Sequence, residues 1–172
     1  MSRAVTGLPL RVVLLLAAWA APACTPVFNW REVQLGHLTT LLPCKPDTAT
    51  RPIPLAGQTV ALEMAGCEVG GTLFAISRLQ AADASQAMVW LGALRAASLA
   101  NVQMRMVHPQ ASSGDAQTSF DVLVDGKRAD GSALQARFKW QVLGDEVYQI
   151  AAYAQSLQPE QTEPLLREVR LR

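Results

Sequence analysis

Within "ALQARFKWQVL" (133–143) the chain alternates without a break from Leu134 to Val142. Leu134, Ala136, Phe138, Trp140 and Val142 are apolar, and Gln135, Arg137, Lys139 and Gln141 lie between them. Successive side chains of a strand point to opposite faces, so this period of two predicts a half-buried antiparallel strand with one wet face. Gly144–Asp145 then turns the chain, and "EVYQIAAYA" (146–154) returns with Tyr148, Ile150 and Ala152 on one face. Upstream, "SFDVLV" (119–124) predicts a strand that ends at Asp125–Gly126. "TVALEMAGCEV" (59–69) and "TLFAISRLQ" (72–80) flank Gly70–Gly71, a hairpin signal. "WREVQ" and "HLTTLLP" are strand-like segments on either side of Gly36, and the three prolines of "KPDTATRPIP" (45–54) suit an extended loop or sheet edge.

The period changes between Asp83 and Leu99. Ala84, Ala87, Met88, Leu91 and Leu94 recur at three- and four-residue spacing, which predicts an Ala-rich amphipathic helix capped by Asp83. "NVQMRMVHP" (101–109) follows as a strand, and "QASSGDAQ" (110–117) as a polar loop. A short helix is expected from Pro159 to Glu168, disturbed by Pro164, and "VRLR" closes as a last short strand. Antiparallel strands with one central and one terminal helix predict an α+β fold, its helices covering one face of a sheet meander and the other face wet.

The first 23 residues stand apart. Arg3 and Arg11 bracket a basic region, "VVLLLAAWAA" (12–21) is apolar, and "APA" supplies small residues before Cys24. This is the layout of a cleaved secretory leader, and the apolar run is shorter than the ~20 residues of a membrane span. Two cleavage readings stay open. An ordinary signal peptidase would cut near Ala20 or Ala23. The preferred reading takes Cys24 as a lipidation site, because small residues leading directly into a cysteine resemble a bacterial lipoprotein signal. Ala21 stands where such signals usually carry Leu. By the same resemblance, Thr25 in place of Asp implies outer-membrane sorting. The expected organisation is a leader over 1–23, a lipid-anchored tether over 24–29, and one α+β domain over 30–172.

Three cysteines are present, at 24, 44 and 67. An odd number in an exported chain leaves one unpaired. With lipid on Cys24, Cys44 and Cys67 remain as a candidate disulfide, worth about 3 kcal/mol by the chain-entropy relation. A two-residue turn at Ala56–Gly57 puts Leu55 opposite Gln58 and Cys44 opposite Val69. Cys67 is then a diagonal neighbour, which calls for a bulge near Pro52 or Pro54. Two separate buried thiols are the alternative.

Charge excludes more than it suggests. After residue 23 the chain holds thirteen basic and fourteen acidic residues, so nothing electrostatic favours nucleic acid. No G-x-S-x-G, C-x-x-C or H-x-x-x-H occurs, and Gly70–Gly71 lacks the rest of a phosphate loop. No metal or cofactor is therefore expected. His108 lies near Ser112, Ser113 and Asp115, but on a loop without the strand–turn–helix setting of a nucleophile. Asp121 with Asp125, and Asp145 with Glu146, are expected to be solvated. Arg105, Arg137 and Lys139 form a basic stripe if their strands adjoin, a possible binding face for anionic lipid or glycan; an ordinary wet face is the plainer expectation. Trp30 suits packing more than partner contact.

"FNWREV" (28–33) followed by "TTLLPCKP" (39–46) resembles a group of uncharacterised proteobacterial envelope lipoproteins that pair such a segment with "LP-x-KP". More distantly, the order of segments is similar to the PsbP-like fold, with "EVYQI" and "LLREVRLR" fitting its late strand and terminal helix. The resemblance carries no catalytic residue and implies an accessory or binding factor. Two functions are therefore expected. The first is a non-catalytic envelope lipoprotein on the periplasmic side, membrane-bound through its lipid, with an envelope protein as possible partner. The alternative is a soluble periplasmic binding protein for a small or anionic ligand, using the sheet face or a pocket beneath the helix.

Overall fold

The structure is a computed structural model, and it describes residues 27–110 and 119–172. The leader, Cys24, the start of the tether and the Ser112–Asp115 region lie outside the described residues. The elements run β1 (Arg31–Leu35), β2 (Leu38–Leu42), β3 (Asp47–Leu55), β4 (Gln58–Val69), β5 (Thr72–Gln80) and α1 (Ala84–Asn101). Then come β6 (Met106–Pro109), β7 (Ser119–Lys127), β8 (Ala133–Leu143), β9 (Glu146–Ala154), α2 (Pro159–Arg167) and β10 (Arg170–Leu171). Among the described residues the fold is mostly antiparallel sheet with two helices. A seven-stranded sheet has the order β3-β4-β5-β9-β8-β7-β6, and a three-stranded sheet the order β1-β2-β10.

Local chemistry accounts for the hairpins. Val69 pairs with Thr72 across Gly70 and Gly71, whose φ angles of +59° and +72° suit glycine and match the twist of a two-residue turn. Leu55 pairs with Gln58 as the turn at Ala56–Gly57 predicts. The proline-rich segment is β3, an edge strand, where a missing N–H costs least. The Asp125–Gly126 turn does not exist. β7 runs on to Lys127, and the chain reverses at 128–132 instead. Gly126 is needed inside the strand because a Cβ there would lie 2.0 Å from the carbonyl oxygen of Val102, which accepts from the Lys127 N–H at 2.9 Å.

Asp83 caps α1, its carboxylate accepting from the Gln86 N–H at 2.8 Å. The buried stripe of α1 is Ala87, Trp90, Leu91, Leu94 and Ser98; the expected core positions Ala84 and Met88 are exposed. Apolar residues surround this Ala-rich helix, so its sequence marks the inner face poorly. α1 packs over Phe138, Trp140, Val147 and Ala151 to form one core.

The other face is not wet. Phe74, Ile76, Tyr148, Ile150 and Ala152 pack against Leu38 and Leu42 of β2 and Leu165 and Leu166 of α2, forming a second core. The helices thus lie on opposite faces of the large sheet, and the small sheet joins α2 as a third layer. Polar residues on β8 masked this in the sequence, whereas β9 is buried on both faces. Phe28 and Trp30 lie edge-on to Phe74, ring centres 6.2 Å from it in both cases, so packing begins within the segment expected as tether.

Candidate functional site

Cys44 and Cys67 form a disulfide, with a Cα–Cα distance of 6.0 Å. No bulge brings them together. The β3–β4 register runs unbroken from Leu55↔Gln58 to Asp47↔Gly66, and the bend that brings Cys44 within reach of Cys67 lies before Asp47.

The turn between β1 and β2 places His37 over the end of β9, where Glu146 is buried, with 4% of its side chain exposed. Its carboxylate accepts from the Tyr148 hydroxyl at 2.6 Å and from Arg78 Nε at 2.6 Å, and lies 2.5 Å from His37 Nδ1. The His37 backbone N–H donates to the Tyr148 hydroxyl at 2.8 Å, and Arg78 also bridges to Glu63 at 3.0 Å. Burial pushes the Glu146 carboxyl upward, but the hydrogen bonds of Tyr148, His37 and Arg78 and the Arg78 charge outweigh it and hold the group below its ordinary value. Burial and the bond to Glu146 push the Tyr148 phenol up to about 12. A carboxylate on an imidazole is part of a triad, yet among the described residues none bonds His37 Nε2. The cluster ties the β1–β2 turn to the large sheet. Glu146, expected to be solvated, is its buried centre.

Of the three basic residues, two come together. Arg137 makes a two-pronged ion pair with Asp121 at 2.6 and 2.9 Å, and Asp121 is buried instead of solvated. Lys139 lies on the same face, 4% exposed, its Nζ donating to the Leu166 carbonyl at 3.1 Å. Burial lowers its pKa, opposed by the Asp121 charge. With Thr40 Oγ1 donating to the Leu165 carbonyl at 2.6 Å, Lys139 satisfies the end of α2, where a cation also suits the helix dipole. Arg105 stands apart, exposed before β6, so the three form no stripe. His108 pairs with Asp125 at 3.0 Å.

A hollow of about 370 Å³ opens between α1 and the β3–β4 hairpin. Ile53, Leu55 and Leu62 wall one side, and Leu94 and Val102 the other. Its floor carries polar groups. Gln149 Oε1 accepts from Ser98 Oγ at 2.6 Å and from Trp140 Nε1 at 2.8 Å, and Tyr153 lies beside it. The strand register places Gln149 and Tyr153 on the helix-facing side of β9, a convergence that no local motif announces.

Among the described residues no helix is long and apolar enough to cross a membrane. No protein-family model matches the chain, and no curated protein matches it.

Proposed function

We propose that this chain is a non-catalytic lipoprotein of the bacterial cell envelope, anchored by lipid on Cys24 and acting on the periplasmic side as an accessory or interaction module. The observation that carries this reading is the Cys44–Cys67 bond. Structural disulfides belong to oxidising compartments, and this one uses two of three cysteines. The sulfur left over stands directly behind the small residues that end a leader-like segment. Residues 1–23 are the removed leader in this reading, Thr25 favours the outer membrane, and the order of strands and helices belongs to the PsbP-like outline. The Glu146 cluster and the Asp121–Arg137 pair spend their charges on one another inside the fold, which fits a non-catalytic role.

The mass of the mature N-terminal peptide tests the anchor. A peptide beginning at acylated Cys24 is expected, and Cys24→Ala should move the protein from membrane to soluble fractions. A chain beginning at Met1, or an unmodified Cys24, overturns it. The second reading, a soluble periplasmic binding protein, is favoured by the hollow beneath α1.

A further inference from the structure

The hollow beneath α1 has the makings of a specific site. Ligand pockets are concave, mostly apolar, a few hundred Å³ in volume, and carry a few placed polar groups. Here the walls are mostly aliphatic, with Asn101 at the end of α1 as a polar exception, and no charged side chain lines them. The Tyr153 hydroxyl has no hydrogen-bond partner among the described residues, although its ring is packed at right angles on Phe138, 5.5 Å away. Burial alone pushes that phenol up to about 12, so it stays a neutral donor. Both side-chain hydrogen bonds of Gln149 fall on Oε1, which leaves the amide N–H donors for a guest. The Trp140 and Ser98 bonds fix the orientation of that amide.

A charged guest would lose its hydration with no counter-charge in return. A wholly apolar guest would leave the phenol and the amide donors without acceptors. We propose that the hollow between α1 and the β3–β4 hairpin binds a small uncharged molecule, largely apolar, with one hydrogen-bond acceptor directed at Tyr153 and Gln149. This deepens the ligand part of the second reading above and holds whether or not Cys24 carries lipid.

Benzamide is a suitable probe, with benzoate and benzylammonium as its charged counterparts. Binding is followed by ligand-observed NMR on the full protein as isolated. Lipid discs with protein-free blanks serve if it is membrane-bound, and plain buffer if it is not. Benzamide should bind saturably with a Kd on the order of 1 mM, as suits so small a molecule, and both ions should bind at least tenfold more weakly. Tyr153→Phe should weaken benzamide by roughly threefold to tenfold, the loss of one hydrogen bond. Ala97 is exposed and lines the hollow, so Ala97→Trp should fill it, abolish binding and leave the melting temperature unchanged. Absence of saturable benzamide binding, benzoate binding as tight as benzamide, or undiminished binding to Ala97→Trp would each overturn the proposal. None of these outcomes bears on the N-terminal peptide mass, so anchor and ligand site fail separately.

Discussion

An ionised carboxylate costs several kcal/mol to bury unless hydrogen bonds and a counter-charge replace its water. Glu146 has both, and its partners come from β1–β2, β5 and β9. Breaking the cluster should therefore cost more than a surface substitution. Glu146→Gln keeps the shape but leaves Glu63 as the one carboxylate paired with Arg78 among the described residues, and it should lower stability at pH 7 by about 3 kcal/mol in urea titrations. The pH dependence follows from the sign of the shift. The folded carboxyl sits below its ordinary 4.5. Its contribution is complete above that value and disappears as pH falls through the folded one. Wild type should thus lose stability on acidification below about pH 4.5, and Glu146→Gln should show a shallower loss over the same range. Equal acid slopes would show that Glu146 is not the titrating group. Tyr148 stands two residues from Glu146 on the same face of β9, but Arg78 reaches the carboxylate only through the β5–β9 pairing and His37 only through the packing of the small sheet, so the local sequence does not foretell the cluster.

At the scale of elements, hairpins were legible because their turn chemistry is local. Gly70–Gly71, Ala56–Gly57 and Gly144–Asp145 all reverse the chain as their residues predict. Asp125–Gly126 has the same chemistry and lies mid-strand, because its glycine answers to a neighbour 24 residues earlier in the chain, not to a turn. Two substitutions separate these meanings of glycine. Gly126→Ala drives a methyl into the Val102 carbonyl and should cost about 3 kcal/mol or more. Gly92 lies mid-helix on the exposed side of α1 with open space around its Cβ position. Gly92→Ala should raise stability by about 1 kcal/mol, since alanine restricts the unfolded chain and favours helix. Thermal melts of the two variants should move in opposite directions. The hollow's floor was hidden for a related reason: Ser98 sits in a helix and Gln149 and Tyr153 in a strand, none at a spacing that marks a site.

The described residues form three layers, and only two were visible in the sequence pattern. A strand with alternating polarity predicts one wet face, yet Arg137 and Lys139 are covered because Asp121 and the Leu166 carbonyl meet them there. Periodicity reports which positions are polar, not whether partners exist for them. The small sheet lies beside α2 on that same face. The pairing of β10 and the Arg170–Glu32 ion pair hold it together internally, and besides its packing in the second core it is tied to the large sheet by the Glu146 cluster and, just past β2, by the disulfide. Cys44 lies where the chain leaves β2 for β3, so its bond to β4 holds the crossing between sheets. The bridge closes a separation of 23 residues. Replacing both cysteines by serine should lower stability by about 3 kcal/mol, chiefly by freeing the unfolded chain. If that were the whole effect, amide exchange would accelerate uniformly. Because the bridge also pins the small sheet, exchange should accelerate most at the β1–β2 amides and least at β8 and β9. Uniform acceleration would make the disulfide a general restraint and leave the third layer held by its own packing.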